Sequence, residues 1–364
     1  MNDRIRRIAV KIGSNVLSRA DGMLDNTRMS AIVDQVAELR GNGIEVIMIS
    51  SGAVASGRSE LAGIDTRQLD SVEQRQLFSA VGQAKLINRY YELFREHHLA
   101  VGQVLTMKES FSTRRHYLNQ RGCMEVMLQA GVIPIVNEND TISVTELMFT
   151  DNDELSGLIA TMMNCDMLVI LSNVDGIFTG SPDDPDSRLI EVVEPDADLQ
   201  QYISTERSGF GRGGMLTKCG IARKVAAEGI EVVIANGRTA DVLTRLIISD
   251  GPNSLKCTRF RAENTEMSSV KRWMAHSGGF AKGTVKLNDE AARRLTGSEA
   301  VSLLPVGITA IDGSFEKDDL INILAPDGKV IGIGRAAYGS EEAAPLLGRH
   351  DCKPLVHYDY LYIN

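Results

Sequence analysis

Paired cysteines are missing from this chain. Its 364 residues include five, Cys123, Cys165, Cys219, Cys257 and Cys352, widely scattered and never in CxxC spacing. An odd, dispersed set argues against a disulfide framework and a structural zinc and suits a reducing compartment, so the expected location is cytoplasmic. Long apolar runs are missing as well. The opening MNDRIRRIAVKIGSN has arginines, but Lys11 and Gly13 interrupt its apolar stretch before it could form a signal-peptide core. No run approaches the length of a membrane span, so no membrane partner is expected. Excess basic charge is also absent: 39 Lys and Arg face 48 Asp and Glu, a net charge of -9. That balance argues against a broad phosphate-backbone footprint, and nucleic acid is not the expected partner.

What is present is an ordinary soluble composition, 43% hydrophobic and 24% charged, on a chain long enough for two cores. Strand-like runs alternate with helical periods through roughly the first 250 residues. Strands are predicted over residues 5–12, 45–50, 101–106, 132–136, 167–171 and 231–235. Between them, Met29, Ile32, Val33, Val36 and Leu39 form a helical stripe behind the capping candidates Asp25, Asn26 and Thr27. Further helices are predicted over residues 73–97, 114–130, 152–163 and 218–229. The implied fold class is α/β, a mainly parallel sheet sandwiched by helices with right-handed crossovers. After Gly251–Pro252–Asn253–Ser254 the segments shorten and become Gly-punctuated. Alternation in VKL, LINIL and VIGIG predicts a small C-terminal β-barrel-like module. The expected domains are residues 1–261 and 275–364, joined by a polar linker over residues 262–270.

The segment VNENDTISVTELMFTDND, residues 136–153, follows the apolar run GVIPIV. It puts Glu138, Asp140, Asp151 and Asp153, with Asn137, Asn139 and Asn152, at a strand's carboxyl end, where open α/β sheets bind ligands. Such a cluster repels a bare phosphate and suits an ammonium group, a metal–nucleotide or catalytic lysines. A turn explains any single acid here equally well. The whole cluster directly after a buried strand favours a site.

Three glycine-bearing segments complement it. The first strand ends in VKIGSN, where Lys11 and Gly13 put a cation beside a permissive backbone. No Walker A loop or dinucleotide fingerprint follows that strand, and a lone strand-end lysine is more often merely solvated. The second strand ends in ISSGAVASG; Ser50, Ser51, Gly52 and Ala53 form a small-residue turn into a helix, suited either to an anion or to close helix packing. The third segment is GFGRGGMLTKCG, a Gly-rich loop feeding Lys218, which fits a triphosphate or a plain surface loop. LVILSNVDGIFTGSPDDPDS adds a polar turn at Ser172–Asp175 that could flank a nucleotide. Each signal is weak alone. Two lysines, several anion-holding turns and an acid cluster at the ends of parallel strands together suggest phosphoryl transfer outside the P-loop class.

At these residues the chain resembles the amino acid kinase family, and within it the branch that phosphorylates glutamate. VKIGSNVL, ISSGAVASG, AVGQ, IPIVNEND, the TDND of residues 150–153, LSNVDGIFT and GRGGMLTK occur in family order across residues 8–235. The tail, with VSLLPVGITAIDGSF and GKVIGIGRAAYGSEE, resembles a PUA domain. The resemblance implies transfer of the γ-phosphoryl of ATP to the side-chain carboxylate of L-glutamate, the first step of proline synthesis. It implies Mg²⁺ carried by the nucleotide and no metal site on the protein. By position, Lys11 and Lys218 look like the transition-state cations and Asp153 like the carboxylate orienting them. Ser51, Gly52, Asp140, Asn152 and Asp151 look like acceptor-binding residues, with Asp140 meeting the ammonium. Lys11, Gly13, Ser172, Asn173, Arg212, Gly213, Gly214, Met215, Leu216, Thr217 and Lys218 look like the nucleotide contacts, and Gly13 and Gly52 like backbone N–H donors. Feedback inhibition by L-proline, a homo-oligomer and delivery of the acyl phosphate to γ-glutamyl phosphate reductase are further implications. The chain departs from the usual pattern at Asn173, Arg212 and, in the tail, Glu290.

The chemistry agrees with that division. A carboxylate nucleophile is already ionised at neutral pH, so no general base is needed. Two other readings compete: a kinase of this fold for another small acid or phosphate, and an RNA-binding protein acting through the tail. Asp140 separates the first, because an acceptor with a free amine needs a carboxylate partner and an acylated one does not. The acidic balance and the presence of both lysines weigh against the second.

Overall fold

The structure, a computed structural model, describes residues 5–19, 21–111, 114–142, 152–181, 184–194, 197, 215–248, 255–263, 281–297 and 301–363. Contacts divide the chain into two compact units, Met1–Lys108 with Gln120–Thr265, and Glu109–Asn119 with Glu266–Asn364.

The first unit is built on strands β1 (Arg7–Ile12), β2 (Glu45–Ser50), β3 (Val101–Thr106), β4 (Ile133–Glu138), β5 (Met167–Ser172), the short β6 (Ile177–Phe178), β7 (Leu189–Ile190) and β8 (Val192–Val193), then β9 (Glu231–Asn236) and β10 (Cys257–Phe260). Eight of them form one sheet in the order β3-β4-β2-β1-β5-β9-β10-β8. β4 and β5 are buried along their whole length, and β1 and β2 at all but one residue, the signature of a parallel sheet covered on both faces. Every pairing from β3 through β9 is parallel, as expected from the alternation. β10 joins antiparallel to β9, and neither it nor β6, β7 and β8 was foreseen. The reason is length: two- to four-residue strands carry no readable period.

Helices cover the faces: α1 (Ser14–Leu17), α2 (Asn26–Gly41), α3 (Ala53–Glu60), α4 (Ser71–Glu96), α5 (Arg114–Gln129), α6 (Asn152–Met162), α7 (Met215–Ala227) and α8 (Val242–Ile247). The predicted stripe of α2 is buried throughout, and Asp25 caps it by accepting from the Arg28 N–H. α4 starts with a capping box in which Asp70 and Glu73 satisfy each other's backbone N–H groups. One boundary differs in a way that matters. β4 extends to Glu138, because Asn137 and Glu138 register with Leu105 and Thr106 of β3. Ladder pairing there overrides the turn preference of Asn.

The second unit contains β11 (Gly283–Leu287), β12 (Ile308–Gly313), β13 (Leu320–Leu324), β14 (Val330–Arg335) and β15 (Leu361–Ile363) in the order β12-β11-β13-β14-β15. Val285, Leu287, Ile321, Ile323, Leu355 and Val356 centre its own apolar core. The alternation read in the sequence forms this sheet.

Candidate active site

The parallel register aligns the carboxyl ends of four neighbouring strands. Ile12 lies opposite Ser50 and Leu171, and Ile49 opposite Val136, so Lys11, Ser51, Asn137 and Ser172 come to one edge. α6 begins at that edge with Asn152 and Asp153 as its first two residues. They carry separate networks.

Asp153 is 1% exposed and forms ion pairs with Lys11 and with Lys218, whose Nζ lies 3.0 Å from Oδ2. Lys11 comes from β1 and Lys218 from the first turn of α7. Gly157 lets α6 and α7 approach, since a Cβ there would lie 3.0 Å from Ile221 and 3.1 Å from Val225. Burial pushes the Asp153 carboxyl up, but the two ammonium groups outweigh it and hold the carboxyl below the usual carboxylate range. The trio carries one net positive charge, a cationic centre fixed by a buried anion. The thiol beside Lys218 is no competitor: Cys219 is buried, which pushes it up to about 12.

Asn152 takes the other direction. Its Nδ2 donates to Ser51 Oγ at 3.0 Å and to Asn137 Oδ1 at 3.1 Å. Asn137 Nδ2 donates in turn to Gln83 Oε1 of α4 at 3.1 Å. Ser50 is engaged elsewhere, its Oγ 2.8 Å from the Tyr90 hydroxyl. Gly52, next after Ser51, has φ of +108°, a left-handed conformation that L side chains rarely adopt, and it caps α3.

Asp140 does not stand alone. Arg75, from the first turns of α4, forms an ion pair with it and lies 3.2 Å from Glu138 Oε2. The two carboxylates are nearly buried, and the guanidinium leaves the trio with one net negative charge. The sequence assigned Asp140 a cation and found no protein partner for it.

Gly13 corrects a second expectation. Its N–H is committed to Leu171 O at 3.1 Å, a sheet contact rather than a donor to a ligand. The glycine instead permits close approach, since a Cβ there would lie 3.1 Å from that oxygen and 3.7 Å from Lys11 Nζ. Ser172 ends β5 buried, with its Oγ 3.5 Å from Asn173 Oδ1, and its carbonyl accepts from Gly237. Met215, Leu216 and Thr217 open α7 ahead of Lys218. Asp151, Arg212, Gly213 and Gly214 lie outside the described residues.

Sequence reasoning missed Arg75 and Gln83. AVGQ was the signal for Gln83, but it was read only as one family-like element, with no role given to its amide. Nothing in the local pattern marks Arg75, which reads as one cation on the polar face of a helix. Among the described residues no group of three His, Cys, Asp or Glu is arranged to hold a metal, and no helix is long and apolar enough to cross a membrane.

Residues 6–236 match the amino acid kinase family, and residues 283–358 match the PUA domain. Glutamate 5-kinase of Bacteroides thetaiotaomicron is 62% identical over 364 residues, covering 100% of both chains. The protein of the same name from Chlorobaculum tepidum is 47% identical over 363 residues, covering 98% of this chain and 97% of its own. Among solved structures, carbamate kinase from Giardia lamblia bound to AMP-PNP superposes with a TM-score of 0.50 at 18% identity, over 71% of this chain and 99% of that one. UMP kinase from Bacillus anthracis gives 0.50 at 16% identity, over 72% and 99%. These distant structures share the fold.

Proposed function

The chain belongs to the amino acid kinase family, and from that premise we propose that it transfers the γ-phosphoryl group of ATP to the side-chain carboxylate of L-glutamate, the first step of proline synthesis. The observation that carries this reading is Asp153 held between Lys11 and Lys218 at the carboxyl edge of a parallel sheet.

In phosphoryl transfer, charge spreads over the oxygens of the moving group, and the protein's contribution is positioning and neutralisation. Two ammonium groups anchored on one buried carboxylate are preorganised for that task and need no reorganisation when charge develops. The acceptor carboxylate is ionised at neutral pH, so no histidine or thiol is required as a base. Asp140, in a trio with Glu138 and Arg75 that keeps one net negative charge, suits the α-ammonium of an unmodified amino acid. Ser51 and Asn152 are hydrogen-bonded to each other at the strand edge that carries Lys11, and both suit the acceptor. Ser172, Asn173 and residues 212–218 are assigned to ATP, and Asn173 and Arg212 depart from the usual family pattern there. Asp153 is engaged by two lysines rather than arranged as a metal ligand, so Mg²⁺ belongs on the nucleotide phosphates, where it adds charge neutralisation. In this reading residues 1–261 carry the chemistry and 275–364 the PUA module. Inhibition by L-proline, a homo-oligomer and delivery of the product to γ-glutamyl phosphate reductase complete it.

The test is ADP release with ATP, Mg²⁺ and L-glutamate, run beside N-acetylglutamate and L-aspartate, with hydroxylamine to trap an acyl phosphate. Glutamate-dependent turnover yielding the hydroxamate is expected. Turnover with N-acetylglutamate alone would overturn the acceptor and the role of Asp140, and no turnover with any of the three would overturn the activity.

A further inference from the structure

AVGQ, residues 80–83, is the one family-like motif to which the reaction above assigns no task. Its glycine has a packing role. A Cβ on Gly82 would lie 1.8 Å from the Ala53 carbonyl oxygen and 2.4 Å from the Gly57 nitrogen, and one on Gly57 would lie 1.8 Å from Phe78 O. The backbones of α3 and α4 therefore touch at a pair of glycines. That contact fixes the next residue, Gln83, which is 9% exposed, against Asn137 of β4.

The hydrogen-bond directions then follow in sequence. Gln83 Oε1 accepts from Asn137 Nδ2, so Asn137 presents its carbonyl oxygen on the other side. That oxygen accepts from the Glu138 N–H at 2.9 Å and from Asn152 Nδ2 at 3.1 Å. Asn152 Nδ2 carries two hydrogens, and the second goes to Ser51 Oγ at 3.0 Å. Asn152 thus meets a ligand as an acceptor through Oδ1. Ser51, having accepted from Asn152, keeps its hydroxyl hydrogen to donate. Reversing the amide of Asn137 would reverse both.

We propose that Gln83 is a positioning residue that, together with the Glu138 N–H on Asn137 Oδ1, holds the donor and acceptor polarity of Ser51 and Asn152 through Asn137. The proposal rests on the amino-acid acceptor read above and deepens it: Ser51 donates to a carboxylate oxygen, and Asn152 accepts from an ammonium. Gln83 touches no substrate and acts only through the chain of amides.

The experiment compares full-length wild type with Gln83→Met, which keeps length and removes the acceptor, and Gln83→Glu, which keeps an acceptor at the same place. Each is measured for kcat and for both KM values, and for the side-chain amide signals of ¹⁵N-asparagine-labelled protein. Gln83→Met raises the KM for glutamate about tenfold, the scale of one buried hydrogen bond, with kcat and the KM for ATP within about twofold. Gln83→Glu stays within about threefold of wild type in the KM for glutamate. The amide signals of Asn137 and Asn152 shift in Gln83→Met without ligand. An unchanged KM for glutamate in folded Gln83→Met, equal damage in folded Gln83→Glu, or unmoved amide signals would overturn the proposal. Should Gln83→Glu fail to fold, the amide signals of Gln83→Met decide alone. Should wild type use a different acceptor, the glutamate reading fails, while the amide signals and the KM for that acceptor still test Gln83.

Discussion

Asp153→Asn keeps the shape of a side chain and deletes the anion that two lysines share. At 3.0 Å and an effective dielectric of 20, the Coulomb attraction of Lys218 alone is about 5.5 kcal/mol. Desolvation of Asp153 opposes that gain, so the better guide is the cost of deleting one partner from a buried pair, about 3–5 kcal/mol. Lys218 retains 12% side-chain exposure and can swing toward water, which puts the expected loss near the lower end, about 3 kcal/mol. For a chain of 364 residues, with an unfolding entropy of about 2.1 cal/mol/K per residue, that is a fall in Tm of about 4 °C. Catalysis suffers more. One preorganised donor is worth about 10²–10³ in kcat, and both cations lose their anchor together, so kcat falls about 10³-fold or more. The pH dependence has a definite sign. The Asp153 carboxyl is depressed in the folded protein. Its contribution is therefore full above the unfolded value of about 3.9 and is lost as pH falls through the folded value. The stability gap between wild type and D153N, read from urea unfolding, stays constant from about pH 5 to 8 and narrows only below about pH 4. A kcat within about threefold of wild type, or a gap that widens toward acid, would refute the argument.

Three further outcomes follow from the same geometry. Lys11→Ala and Lys218→Ala each lower kcat about 10²-fold or more at saturating substrates; a value within threefold of wild type would remove that lysine from the transition state. Asp140→Ala raises the KM for glutamate at least about tenfold and leaves the KM for ATP within about twofold, and equal effects on both would count against an ammonium partner. Gly82→Ala forces α3 and α4 apart and costs about 1–3 kcal/mol or more by thermal unfolding. The control is Gly122→Ala on α5, where an added Cβ meets nothing within 4 Å; helix propensity makes it stabilising by about 0.5–1 kcal/mol. Equal responses of the two would refute the glycine contact.

Much of the fold was legible because its determinants are local. Short β-branched runs such as IAVKI and LVILS are too brief for a core helix and read as strands buried on both faces, and the stripe of α2 repeats at the helical period. Strand ends then locate the site, since the side chains that follow a parallel strand share one edge of the sheet. Lys11, Ser51, Asn152 and Asp153 could be picked out by that rule and Lys218 by the Gly-rich segment ahead of it, and the structure brings Lys11 and Lys218 to Asp153 and Ser51 to Asn152.

Which of these groups pair is a different question. Arg75 stands 63 residues from Glu138 and meets it only because α4 lies across the end of β4. Gln83 reaches Asn137 only because two glycines let two helices touch. Gly13 reads as a donor to a ligand until the register places Leu171 O against its N–H. A sequence by itself determines which segments must bury apolar surface and where polar groups interrupt them. Tertiary structure decides which charge neutralises which and which way each amide faces, because those energies depend on distances of a few ångströms between segments far apart in the chain.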